Sequence, residues 1–240
     1  MSAVLVIAKR ELNSFFDSLI AYILLALFLG FTGFFTWIMG GGDVFFTGQA
    51  SLSQFFEFAN LSFFIFIPAL TMQLLAEERK IGTLELLLTK SVTDRQVVFG
   101  KFLAAVLMLA ISLLFTLPFV ITIFTIGQAD PGQIFSGYVG LLLTGGAFAS
   151  IGLYASSITS NQIVSFLVAL IISVFFQFIF ELMASSLPGV IGQIFDTLSI
   201  RTHFESISRG VWDTRDLIYF ASVIFLGLFL SELSLAKRNQ

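Results

Sequence analysis

The chain has 240 residues, 57% of them hydrophobic and 11% charged, with a mean hydropathy of +0.99. A water-soluble domain carries about 25% charge, and a core of this size cannot hide so much apolar surface, so the solvent must be a lipid bilayer. The net charge of -3 gives no footing for a nucleic-acid partner, and the absence of cysteine excludes disulfides and thiolate metal sites.

The first predicted element is an amphipathic helix over residues 3–18. Val4, Leu5, Ala8, Leu12, Phe15, Phe16 and Leu19 fall within an arc of about 120° on a helical wheel, and Lys9, Arg10, Asn13 and Asp17 lie opposite. Such a helix lies in the membrane interface with its apolar arc among the acyl chains. A cleavable signal peptide fits poorly. The apolar run that follows is too long for an h-region and closes on Trp37-Ile38-Met39-Gly40-Gly41-Gly42.

Six stretches of about 20 apolar residues are long enough to span a bilayer. They lie near 19–39, 57–76, 101–126, 134–157, 163–185 and 217–236. Pro118 is placed to kink the third. The fourth carries Gly137, Gly140, Gly145, Gly146, Ala149 and Gly152, small residues that let helix backbones approach closely, and so reads as a buried helix. With the N-terminus inside, nine of the twelve basic residues face the cytoplasm, as the positive-inside rule requires. Both termini are then cytoplasmic, and residues 186–216 form the one sizeable external connection. The fold class is a single all-α membrane domain.

Between the second and third spans runs a long polar interruption, residues 77–101. Glu77 and Glu78 close the second span, and Gly82 stops the helix. Thr83 can cap a new helix from Leu84 to about Lys90, with Glu85 in its first turn and a dense apolar surface from Leu84, Leu86, Leu87 and Leu88. Thr93-Asp94-Arg95-Gln96 matches a capping box that starts the third span. A short rigid leucine helix joined tightly to two spans transmits a push, which suits a docking piece. An interfacial helix or a cap under the bundle are the competing readings.

Catalytic chemistry finds no motif. No phosphate-binding loop G-x-x-x-x-G-K-[ST] is present: Gly100-Lys101 is followed by Phe102, and Arg95 stands where a glycine is needed. His203 is the only histidine and reads as an interfacial or structural residue. Glu57 and Glu181, near the outer ends of spans, are isolated carboxylates and make no proton pathway.

Three blocks carry a resemblance to a known family. Glu77-Glu78-Arg79-Lys80-x-Gly82-Thr83-Leu84-Glu85-Leu86-Leu87-Leu88-Thr89 with Val97-x-x-Gly100-Lys101 is similar to the cytoplasmic loop of type-2 ABC exporter permeases. The start, Arg10-Glu11-Leu12-x-x-Phe15-Phe16-x-Ser18-x-Ile20-Ala21-Tyr22, and the segment His203-Phe204-Glu205-Ser206-Ile207-Ser208-Arg209-Gly210-Val211 resemble the same class, most of all the gliding-motility permease (Gld F-subunit) family. Leu19 stands where that family has a proline. The resemblance implies a half-transporter in a bacterial cytoplasmic (inner) membrane, paired with a second permease chain, identical or related. It implies that ATP and Mg are bound by a separate ATP-binding subunit, with no cofactor on this chain. That subunit would contact Gly82, Thr83, Leu84, Glu85, Leu86, Leu87, Leu88 and Thr89 as a coupling helix. Glu77 and Glu78 would act as the hinge, and the interface helix with Lys9, Arg10 and Glu11 as a second contact. It further implies an external re-entrant helical pair, for which residues 187–198 are apolar yet too short to cross. Cargo is left open between a lipid-like substrate and none, with motion relayed to a periplasmic partner. An ATP-independent ion or solute carrier is the alternative.

Overall fold

The computed structural model describes residues 3–38, 50–82 and 92–237, and every regular element among them is helical. The expected leucine helix over residues 84–90 lies outside the described residues. α1 (Ala3–Asp17) and α2 (Leu19–Trp37) are followed by α3 (Ser53–Thr71), which turns into the short α4 (Ala76–Lys80). α5 (Asp94–Leu114) and α6 (Leu117–Ile126) form one broken span, and α7 (Pro131–Ser157) the next. α8 (Gln162–Val174), a π-helical turn (Phe175–Ile179) and α9 (Phe180–Ser186) run on as one rod. α10 (Val190–Leu198), α11 (Ile200–Ser208) and α12 (Thr214–Ala236) complete the order. Among the described residues six runs are long and apolar enough to cross a membrane: Leu19–Trp37, Ser53–Lys80, Asp94–Ile126, Pro131–Ser157, Gln162–Ser186 and Thr214–Ala236.

Side-chain contacts fix how these rods alternate. At one end, Glu78 meets Lys101 and Arg10, Arg79 meets Ser157, and Ser234 donates to the Ser157 carbonyl at 3.0 Å. At the other, Gln133 donates to Ser53 at 3.1 Å, Trp212 Nε1 donates to Ser136 at 2.9 Å, and Arg201 reaches both Glu57 and Glu181. The chain therefore runs up and down six times, with α1 and α4 at one end and α10 and α11 at the other.

α7 is the axis of the bundle. Its most apolar window is 72% buried, against 22% for the first, fifth and sixth spans. Small residues make this possible: a Cβ at Gly145 would sit 2.0 Å from Leu109, and one at Gly152 would sit 2.0 Å from Thr71 Oγ1. The glycine-rich fourth span is thus the buried helix that its sequence predicts, in contact with α3, α5, α8, α11 and α12. Phenylalanines fill the space beside it, as where Phe28 of α2 packs 5.0 Å from Phe66 of α3.

Two spans are broken, for different reasons. The third parts at Phe115–Thr116, just before Pro118, which has no N–H to give Leu114 and no room beside its carbonyl. Thr116 bridges the gap by donating to Leu113 O at 2.6 Å and pairing with the Tyr138 hydroxyl at 2.8 Å. The second span differs from its predicted extent of 57–76: it starts at Ser53 and is interrupted over residues 72–75. There the Ser156 hydroxyl of α7 enters the ladder, accepting from the backbone N–H of Leu75 and of Ala76 at 2.9 Å each and donating to Met72 O at 3.0 Å.

α1 also differs in detail. It packs on α5, with Ile7, Ala8 and Phe15 buried and Ile7 pressed against Gly100, where a Cβ would come within 2.7 Å. The buried face is turned by roughly a fifth of a turn from the predicted apolar arc. Leu5 stays exposed. The reason is that Glu11 is drawn inward to Lys101, so the outer half of the apolar arc is left for lipid.

Candidate functional site

α4 is only five residues long, yet three consecutive side chains hold three different parts of the bundle. Glu77 accepts a hydrogen bond from the Gln162 amide at the start of α8. Glu78 accepts from Arg10 of α1 at 2.7 Å and lies 2.9 Å from Lys101 of α5. Arg79 donates to the Ser157 carbonyl at the end of α7, at 2.6 Å. Successive helical residues point about 100° apart, so one turn reaches three directions.

The centre of this clamp is Lys101, whose side chain is 0% exposed. An ammonium taken out of water needs close counter-charges, and two are present, Glu78 at 2.9 Å and Glu11 at 3.2 Å. Both contacts are ion pairs. Among the described residues Arg10 joins them, reaching Glu11 at 2.5 Å and Glu78 at 2.7 Å, so that two cations face two carboxylates. Partial burial of Arg10 works against its charge, but Glu11 and Glu78 outweigh that effect and raise its pKa above the ordinary arginine value. Lys9 is exposed and stands outside the cluster.

Both borders of the polar interruption follow local signals in the sequence. α4 stops at Lys80, and Gly82 has φ +73°, the left-handed conformation that glycine adopts without a Cβ clash. At the far border, Gln96 N–H donates to Thr93 Oγ1 at 3.3 Å and Thr93 N–H donates to Gln96 Oε1 at 3.1 Å, a complete capping box for α5. Thr83, Leu84, Glu85, Leu86, Leu87, Leu88 and Thr89 lie outside the described residues. Glu77 and Glu78 of the expected hinge lie within α4 itself, and the interrupted backbone is just before them, at residues 72–75.

A second polar site lies at the opposite end. Arg201 of α11 gathers three carboxylates: Glu205 at 3.0 Å, Glu181 at 3.1 Å and Glu57 at 3.5 Å. Desolvation opposes the Arg201 charge, and Glu181, Glu205 and Glu57 together raise its pKa nonetheless. Beside it opens a vestibule of about 320 Å³ that also touches Asn60 and Gln177. These two amides are 3% and 1% exposed, and their carbonyl oxygens have no hydrogen-bond partner among the described residues. Gln177 reaches the cavity from the π-helical turn, which rotates the fifth span's side chains out of register. An apolar groove of about 430 Å³ between α2, α3 and Phe178 adjoins the vestibule at Leu61.

His203 is a tie between helices. It bonds Asp216 of α12 at 2.7 Å and the Thr197 carbonyl of α10 at 3.1 Å, and stacks on Tyr219 with ring centroids 4.0 Å apart. No nucleophile is positioned by it. Glu57 and Glu181, isolated in the sequence, share Arg201 in space.

Sequence reasoning missed Lys101 as the hub of the first site and Ser156 as the breaker of the second span. A lysine eight residues into an apolar helix is a signal that partners are needed, and Glu11 and Glu78 were the acidic residues at hand. Ser156 gave no such signal.

The pattern that defines the ABC-2 family transporter proteins matches residues 5–197, about four-fifths of the chain. The chain belongs to the ABC-2 transporter family. No curated protein matches it in sequence. In this ABC-2 permease the matched region includes most of α1, the α4 clamp, the first five spans and most of α10. Membership makes the chain the multi-pass, membrane-spanning subunit of an ATP-binding-cassette transporter, and gives it an ATP-binding subunit as partner.

Proposed function

We propose that this ABC-2 permease is a half-transporter of the gliding-motility type, resident in a bacterial cytoplasmic membrane with both termini inside. It works as a dimer of permease chains bearing two ATPase subunits that bind ATP and Mg. The observation that supports this reading is the α4 clamp. A partner that grips Gly82, the leucine-rich segment through Thr89 and the exposed face of α1 would act directly on α4. Glu77, Glu78 and Arg79 would then pass the displacement to α8, to α1 with α5, and to α7, because each is bonded to a different rod. Lipid-facing spans would tilt together.

The vestibule supports a cargo over a purely mechanical relay. Two buried amide oxygens without partners and a charged rim offer hydrogen bonds to a polar headgroup, and the adjoining groove offers room for a chain. An amphiphile with hydroxyl or amine donors fits both parts.

The test has two arms. Affinity purification of the tagged permease should retain an ABC ATPase, and purification free of any ATPase would sink the reading. Glu85→Arg and Leu87→Asp should leave membrane insertion intact while lowering permease-stimulated ATP hydrolysis about tenfold or more. Unchanged stimulation in both variants would show that the segment is not the transmission element, and solute flux through liposomes without ATPase would favour an independent carrier.

A further inference from the structure

A second groove lies at the α1 end of the bundle, between α5 and α12. Arg95 and Phe99 line one wall, and Phe225, Leu228, Phe229 and Glu232 the other, around about 430 Å³. On α12 the lining continues to Leu233 and Ala236. From Phe225 to Ala236 the helix rises about 16 Å, roughly half the ~30 Å hydrocarbon thickness. The groove is therefore as deep as one leaflet. Its inner part is apolar, with the Phe225 and Phe229 rings stacked at 6.1 Å and both exposed. Its mouth carries one cation and one anion.

Those two charges do not satisfy each other. Neither Arg95 nor Glu232 makes an ion pair or a side-chain hydrogen bond with any described residue; Arg95 lies over the Phe99 ring at 5.6 Å. A guanidinium and a carboxylate held apart at the mouth of a lipid-deep apolar groove match a headgroup that is itself a dipolar pair. We propose that this groove is a binding site for an aminophospholipid of the leaflet on the α1 side. The phosphate sits on Arg95, whose fork suits bidentate phosphate contact. The primary ammonium donates to Glu232. One acyl chain lies along Phe99, Phe225 and Phe229. A trimethylated headgroup could not donate to Glu232, and a glycerol headgroup, whose one charge is the phosphate, would bring only neutral hydroxyls to it. The proposal is independent of what the permease exports.

The full-length permease, purified in detergent and stripped of lipid, would be titrated with phosphatidylethanolamine, phosphatidylcholine and phosphatidylglycerol of identical chains, with retention read by native mass spectrometry. Phosphatidylethanolamine should bind about fivefold tighter than the other two, the size of one modest charge contact. Arg95→Gln should weaken all three by a similar factor, and Glu232→Gln should erase the preference for the primary amine. The double exchange Arg95→Glu with Glu232→Arg, which inverts the pair, should restore that preference. Equal or tighter binding of phosphatidylglycerol to the wild type, or a preference that survives Glu232→Gln, would overturn the assignment. So would an Arg95→Gln variant that loses the ATPase subunit while keeping its lipid, which would make the groove a protein contact.

Discussion

Lys101 is a cation with no exposed side-chain surface, and its two carboxylates come from α1 and α4. Removing counter-charges from a buried ion costs far more than removing the ion, because the unpaired charge stays desolvated. Glu11→Gln with Glu78→Gln should therefore destabilise the permease by roughly 3–5 kcal/mol. Lys101→Met should cost about 1 kcal/mol or less, since a chain of similar length fills the space and Arg10 still holds both carboxylates. Thermal unfolding in detergent distinguishes the two. If both variants melt alike, the cluster is not organised around the lysine. The arrangement at Arg201 is the reverse, one cation among three carboxylates that are at least a third exposed. Its contribution to stability is correspondingly small.

Between elements, the decisive contact is that of α7 with the end of α3. Gly152 lets Thr71 approach, and one turn later Ser156 enters the interrupted backbone, satisfying two buried N–H groups at once. Ser156→Ala leaves both donors without a partner, at about 1–3 kcal/mol each. Gly152→Ala instead forces the helices apart, at about 1–3 kcal/mol for overpacking. Thr71→Ala introduced beside Gly152→Ala should recover most of that loss, whereas it should recover nothing beside Ser156→Ala. Equal rescue of both variants, measured by unfolding, would mean that Ser156 acts through packing alone. The same pair marks the limit of what the chain discloses in one dimension. Gly82, the Thr93–Gln96 box and the glycine spacing of α7 were legible because their physics is local: a left-handed turn, two hydrogen bonds over three residues, one helix face. The interruption at residues 72–75 was not, since its cause lies 80 residues away. Charge was intermediate. A buried lysine in an apolar helix announces that it needs partners, but which carboxylates answer depends on how α1 rotates. Here the demand of Lys101 outweighed the apolar arc of α1. The vestibule was illegible for a further reason: Asn60 and Gln177 are unremarkable until a π-turn aims one of them at the other's cavity.

For the molecule as a whole, the ion cluster and the vestibule lie at opposite ends of the six-span bundle, and the basic residues divide with them. Lys9, Arg10, Arg79, Lys80, Arg95 and Lys101 belong to the α1 end, while Arg201, Arg209 and Arg215 belong to the α11 end. Translocation of arginine and lysine is unfavourable enough that such a bias sets orientation. The α11 end carries a different signature. Val190, Ile191 and Ile194 of α10 are all more than half exposed, a face that water would not leave bare but that a lipid leaflet would cover. Together these predict that α1 and α4 face the compartment that holds ATP and that the α11 end faces the opposite side. The chain has no cysteine, so single reporters can be introduced without background. Lys9→Cys on α1 and Gln193→Cys on α10, both exposed positions, should react oppositely with a membrane-impermeant maleimide. Gln193→Cys should label in intact cells whose outer surface is accessible, and Lys9→Cys only after the membrane is opened. Labelling of both from one side would break the six-span topology, because five crossings, an odd number, lie between α1 and α10. Labelling with the sides exchanged would keep the fold and reverse the machine, leaving the α4 clamp where no ATPase could reach it.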